Sequence, residues 1–185
     1  MEVADGLNAP NSDEIEISVF GPGYGECILI HAGDGDWVIV DSCINPISNI
    51  PASLEYLKKI GVDPAANVKS IIATHWHDDH IRGLAKLFHE CESADFCCSI
   101  ALKDTEFLTL VTSYGDGSPK LSSGVKEFHK ILMSKKDRAE TSNIKIPPTW
   151  AIANKPIWGK KSGSPCRIEA LSPSDTSVMI AKQQI

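Results

Sequence analysis

Residues 68–80 join two kinds of chemistry, and that junction restricts what the chain can fold into more than any other feature. Val68-Lys69-Ser70-Ile71-Ile72-Ala73-Thr74 is short, apolar and β-branched, so it reads as a buried strand. His75-Trp76-His77-Asp78-Asp79-His80 follows at once, placing three imidazoles and two carboxylates in six residues. Beyond it, Ile81, Leu84, Ala85, Leu87 and Phe88 recur at helical spacing, with Asp78 or Asp79 suited to the positive end of that helix. Strand, polar loop and helix in this order put the cluster at the carboxyl end of a sheet strand, where a rigid scaffold positions polar groups without burying them unpaired. A solvated polar loop is the plain alternative. Histidine supplies only 6 of 185 residues, however, and its concentration here favours a binuclear metal centre.

At 185 residues the chain is long enough for one sizeable core and is expected to form a single domain. Its net charge of −6 provides no whole-chain attraction to phosphate backbones or anionic membranes, although a local basic patch is compatible with it. Met1 to Asp13 lacks the basic and apolar regions of a secretory signal, and no run approaches a membrane span. Cys27, Cys43, Cys91, Cys97, Cys98 and Cys166 contain no CxxC pair and sit mostly in strand-like contexts. They read as reduced core residues of a cytoplasmic protein, with a structural zinc built from them as the lesser alternative.

The rest of the chain reads as an α/β layer. Glu14 to Phe20 alternates as a half-buried strand, and Gly21-Pro22-Gly23-Tyr24-Gly25 supplies a turn. Cys27 to His31 resumes extended structure, and Gly33-Asp34-Gly35-Asp36 signals a hairpin into Trp37-Val38-Ile39-Val40, leaving Asp41 at a strand's end. Ser53 to Ile60 is a helix stopped by Gly61. After the strand at 68–74 come a helix over about 80–90, a strand over Asp95 to Ala101 and a helix over Asp104 to Thr112. An irregular insertion is expected over 115–165, apart from an amphipathic helix from Val125 to Leu132. Its basic part, Lys135 to Lys161, carries Trp150 and Trp158, which either stack on nucleic-acid bases or, as favoured here, pin a loop to the core. Cys166 to Leu171 returns to strand alternation.

His75-x-His77-x-Asp79-His80 behind an apolar strand, with Gly83 beyond it, resembles the signature of the metallo-β-lactamase-fold hydrolases. The glycine-rich turn at 21–25, the strand after it, the hairpin and Val40-Asp41-Ser42 are similar to the start of that fold. Gly23 to Ile30 and Ala170 to Ser174 further resemble the branch that includes competence-type DNA-uptake nuclease domains. The resemblance implies an αββα sandwich with metals at one edge, here present as its N-terminal half. It implies that His75 and His77 hold one metal, that Asp79 and His80 hold the other, and that Asp41 supports the loop through hydrogen bonds. Two divalent ions are implied, zinc first, with manganese or iron as alternatives for an N/O site. A water activated between them would carry hydrolysis, with Asp79 also acting as the catalytic carboxylate that orients it or accepts its proton. Asp78 receives no metal role, and Gly83 is expected to let its helix approach the site.

The resemblance also implies ligands that this chain does not supply in suitable context: a third histidine, a bridging aspartate and a final histidine. His31, His89 and His129 read as packing or surface residues, and Asp175 follows a turn rather than a strand. A half-sandwich would leave an apolar sheet face uncovered, so a companion C-terminal segment or chain is expected to complete both fold and site. The leading expectation is a metal-dependent phosphodiesterase or nuclease. The alternatives are a non-catalytic or regulatory interaction module, and a hydrolase of a thioester, lactone or cyclic nucleotide.

Overall fold

The computed structural model describes residues 8–100, 123–142, 148–159, 166–174, 176–177 and 179. The expected helix over Asp104 to Thr112 and the residue Asp175 lie outside the described residues. Strands β1 (Glu16–Gly23) and β2 (Gly25–His31) pair antiparallel, with Ile17 opposite Ile30 and Val19 opposite Ile28. The anticipated hairpin then delivers β3 (Trp37–Val40), antiparallel to β2. Its turn runs through left-handed backbone at Gly33, Asp34 and Gly35, conformations that glycine and aspartate tolerate best.

From β3 the sheet becomes parallel, because each further strand returns through a helical crossover. Helices α1 (Ala52–Lys59) and α2 (Pro64–Asn67) lead to β4 (Val68–Ala73), which lies parallel to β3. Next come α3 (Asp78–Ile81), α4 (Leu84–Glu90) and β5 (Asp95–Ser99). The expected single helix over 80–90 is thus two pieces, broken where Gly83 adopts φ 87°. A Cβ at Gly83 would meet Ile44 Cδ1 at 2.5 Å, so its close approach is to the loop after β3 rather than to the histidine cluster.

The expectation of an irregular insertion over 115–165 is corrected. Helix α5 (Ser123–Ser142) spans 20 residues of that interval, and strands β6 (Thr149–Ala151) and β7 (Lys155–Trp158) occupy its end. Val125, Phe128 and Ile131 anchor α5 in the core, and the lysine-rich continuation extends the helix because lysine, glutamate and alanine are good helix formers. The main sheet has the order β1-β2-β3-β4-β5-β6, and β7 pairs with β8 (Ile168–Ala170) in a second, two-stranded sheet.

One face of the main sheet is covered by helices. Leu54 and Leu57 of α1, Leu84, Leu87 and Phe88 of α4, and the α5 residues pack on Leu29, Trp37, Ile39, Ile71 and Phe96. The Phe96 ring lies edge-on to Phe88 at 5.8 Å and to Phe128 at 5.9 Å, tying α4 and α5 to β5. On the other face, Val38, Ile72, Cys97 and Ala151 are covered from β7 and β8 by Ile157, Trp158, Ile168 and Ala170. That cover stops short of β1, where Ile17 and Val19 are 65% and 71% exposed. β1 is thus the half-buried strand expected from its alternation. Glu16 and Phe20 face α1, meeting Tyr56, and the aliphatic residues face outward.

None of the six cysteines, all among the described residues, is in a disulfide, and five of them are buried. Burial pushes the thiols of Cys27 and Cys98 up to about 12 and that of Cys43 up to about 11, so they are neutral near pH 7. Trp150 packs on the helix-covered core and Trp158 on the opposite one, which accords with pinning rather than stacking on bases. Among the described residues no helix is long and apolar enough to cross a membrane. Phe96→Ala removes the ring shared by α4 and α5, and urea denaturation is expected to show a loss of about 3–5 kcal/mol.

Candidate metal centre

Asp41 leaves β3 in the left-handed region at φ 60°, and its N–H donates to the Ile72 carbonyl of β4 at 2.8 Å. That turn swings the carboxylate across the end of β4. Thr74 N–H donates to Oδ1 at 2.8 Å and the Thr74 hydroxyl donates to Oδ2 at 2.6 Å. His80 Nδ1 lies 2.9 Å from the same Oδ2. The next residue completes the clamp, because Ser42 N–H donates to His80 O at 2.7 Å and its hydroxyl to Arg82 O at 2.9 Å. At 5% exposure the Asp41 carboxylate has little water to satisfy it, and these donors replace that water.

The same contacts assign the imidazole tautomers. A carboxylate only accepts, so His80 donates Nδ1–H to Asp41 and presents Nε2 outward. Thr74 spends its single hydroxyl proton on Asp41, so the 2.8 Å contact between Thr74 Oγ1 and His75 Nδ1 makes the imidazole the donor. His75 therefore also carries its proton on Nδ1 and presents Nε2. Both rings are held through one buried carboxylate, His80 directly and His75 through the threonine hydroxyl.

The rings of His75 and His80 lie 3.9 Å apart between centroids, and that of His77 lies 5.0 Å from His75. Ligand atoms of Asp41, His75 and His80 all fall within 4.8 Å of one another. Asp79 Oδ2 stands 3.7 Å from His80 Nε2. All four residues expected as ligands are thus neighbours, although His77 is exposed beside Trp76 and stands outside the most compact group. Asp41 belongs to that group by distance, and its oxygens accept three hydrogens, two from Thr74 and one from His80. His31 is turned into its hairpin, where Nε2 accepts from Gly35 N–H at 3.2 Å; His129 is buried on α5 and His89 is exposed. None of the three joins the donor group.

Sequence reasoning gave no role to Thr74 or Glu26, and gave Asp78 only a favourable charge at the start of the helix that follows it. Asp78 Oδ1 accepts from Gly124 N–H at 2.8 Å, satisfying one of the free amides at the start of α5. A Cβ at Gly124 would collide with the Trp76 carbonyl oxygen, so the helix abuts the histidine loop directly. In return, Glu127 of α5 accepts from Ala85 N–H at 2.8 Å, at the start of α4. On the other side Gly25, at φ 94°, leaves no room for a Cβ against the Asp79 carbonyl. The loop is wedged between the β1–β2 turn and α5. Adjacency of Thr74 to His75 was the one local signal that its hydroxyl would reach an imidazole.

Residues 20–118, more than half of the chain, match the family model described as the metallo-beta-lactamase superfamily. The chain belongs to that superfamily, a family of metal-dependent hydrolases. Similar solved structures include a B3 metallo-β-lactamase with an active-site glutamic acid, at 27% identity over 44% of this chain and 29% of that one, with a TM-score of 0.35. The Rm3 metallo-β-lactamase aligns at 19% identity over 76% of this chain and 44% of that one, with a TM-score of 0.42. BJP-1, a subclass B3 metallo-β-lactamase of Bradyrhizobium japonicum, aligns at 18% identity over 82% of this chain and 52% of that one, with a TM-score of 0.45. The chain spans about half the length of these structures or less. No curated protein matches it.

Asp78→Ala leaves the Gly124 amide without its acceptor, and thermal or urea denaturation is expected to show a loss of about 1 kcal/mol, as for removal of a helix cap. Unchanged stability would remove Asp78 as the tie between the loop and α5.

Proposed function

We propose that the protein is a metal-dependent phosphodiesterase or nuclease whose centre is built on His75, His77, Asp79 and His80. The observation that carries this reading is the pair of imidazoles locked by one buried carboxylate with both Nε2 atoms presented outward. Pinning one ring nitrogen frees the other as a ligand and is the arrangement metal-binding histidines adopt. The donor set of imidazole and carboxylate suits two divalent ions, zinc first and manganese or iron as alternatives. Bound there, such ions would acidify a water and polarise the bond to be cut. Asp79, beside His80, would orient that water or take its proton, while Asp41 and Thr74 would keep the imidazoles from rotating.

A phosphodiester substrate is supported by the likeness of Gly23 to Ile30 and Ala170 to Ser174 to competence-type nuclease domains. The packed tryptophans add nothing to it. The cytoplasm is the compartment that six free thiols favour. We assign the uncovered aliphatic residues of β1 to a companion C-terminal segment or chain that extends the layer begun by β7 and β8 and brings the remaining ligands. Supporting this is the exposure of Ile17 and Val19 beside strands already covered on that face. A non-catalytic interaction module is the second reading, favoured because none of His31, His89 and His129 joins the donor group among the described residues.

The test uses the full-length protein with any co-purifying chain. Cleavage of bis-p-nitrophenyl phosphate and of DNA is expected to need divalent metal, to vanish with a chelator and to fall at least about 100-fold in His77→Ala and Asp79→Ala. Metal analysis is expected to return near two equivalents. Cleavage that survives both substitutions overturns the catalytic site, and protein that holds no metal favours the interaction module.

A further inference from the structure

Three carboxylates surround the imidazole of His80. Asp41 takes the Nδ1 side at 2.9 Å, while Asp79 Oδ2 and Glu26 Oε1 stand 3.7 Å and 4.0 Å from Nε2. Among the described residues no lysine or arginine pairs with Asp41, Asp79 or Glu26. Asp79 and Glu26 thus bring two carboxylates to the ring nitrogen that Asp41 leaves unused, an arrangement of oxygen and nitrogen donors that a cation between them would bind together.

The backbone explains how Glu26 gets there. Gly25 sits at φ 94°, and only the lack of a Cβ lets the start of β2 lie against the Asp79 carbonyl. The following side chain emerges beside the loop, 54 positions away in sequence from the imidazole it faces. Its partner in the chain, Cys27, is buried, whereas Glu26 is 68% exposed and free to swing. Two neighbouring ligands held about 2.1 Å from one ion stand roughly 3.0–3.4 Å apart, depending on its coordination number. The observed 3.7 Å and 4.0 Å exceed this by an amount that rotation of the two carboxylates closes.

We propose that Glu26 is a further ligand of the cation held by His80 and Asp79. The centre is then asymmetric. The His75/His77 position is nitrogen-rich and suits zinc, and the His80/Asp79/Glu26 position is oxygen-rich and favours a harder divalent ion such as Mn²⁺. This rests on the reading that His80 and Asp79 hold a cation.

Mn²⁺ and Zn²⁺ titrations of the full-length, metal-stripped protein test it, followed by calorimetry and by loss of the free Mn²⁺ spin-resonance signal. Glu26→Gln keeps the size of an exposed side chain and removes its charge. It is expected to weaken Mn²⁺ binding at least about 10-fold, with Zn²⁺ at the first position and the circular dichroism unchanged. Glu26→Asp, which keeps the charge on a shorter arm, is expected to retain part of the Mn²⁺ affinity. Wild-type Mn²⁺ affinity in Glu26→Gln, alongside its loss in His80→Ala, overturns Glu26 as a ligand and leaves the underlying site standing. Wild-type protein that takes up neither ion overturns both.

Discussion

The organisation of this molecule turns on one buried carboxylate. Asp41 connects the end of β3 to the end of β4 through its own amide and through Thr74, and holds the histidine loop through His80. Each contact is worth little alone, but a buried carboxylate stripped of donors is expensive, so the contacts stand or fall together. That mutual dependence ties the relative placement of two strand ends to the direction of two imidazoles. The fold and the candidate metal centre share one set of hydrogen bonds.

Around this centre the chain removes freedom from a loop that would otherwise be mobile. Gly25 and Gly124 bring backbone against the carbonyls of Asp79 and Trp76, contacts that no other residue type permits. Asp78 and Glu127 then exchange carboxylates for amides between the loop, α5 and α4, placing negative charge at helix starts where the peptide dipoles favour it. Exposed His77 and half-buried Asp79 project from a frame whose backbone is fixed on both sides. Preorganisation of this kind lets a polar cluster stay poised without being buried.

Most elements were legible because their signals are local. The hairpin at Gly33 to Asp36, the helix before Gly61 and strand β4 each follow from a few neighbouring side chains. The expectation failed at α5, where charge over Lys135 to Lys136 read as loop although the same residues prolong a helix once Val125, Phe128 and Ile131 are buried. At β1 the half-buried strand was legible, but its sense was not. Alternation of Ile17 and Val19 with Glu16 and Ser18 states that the strand has two faces, but not which one the helices cover. At the site, His75, His77, Asp79 and His80 were found because they share one loop. Glu26 and the use made of Thr74 and Asp78 were not, since their partners depend on how β2 and α5 approach that loop.

The amino-acid sequence by itself determined the types of the elements and the chemistry of the cluster, because both are written within stretches of a few residues where periodicity and spacing act directly. Tertiary structure decided which nitrogen each imidazole presents, which carboxylates face it and which sheet face lacks cover. Those outcomes rest on residues far apart in the chain, such as Asp41 with Thr74 and His80, 33 and 39 positions away. Contacts at that separation are set by strand order, crossover and packing, which no local pattern of side chains encodes.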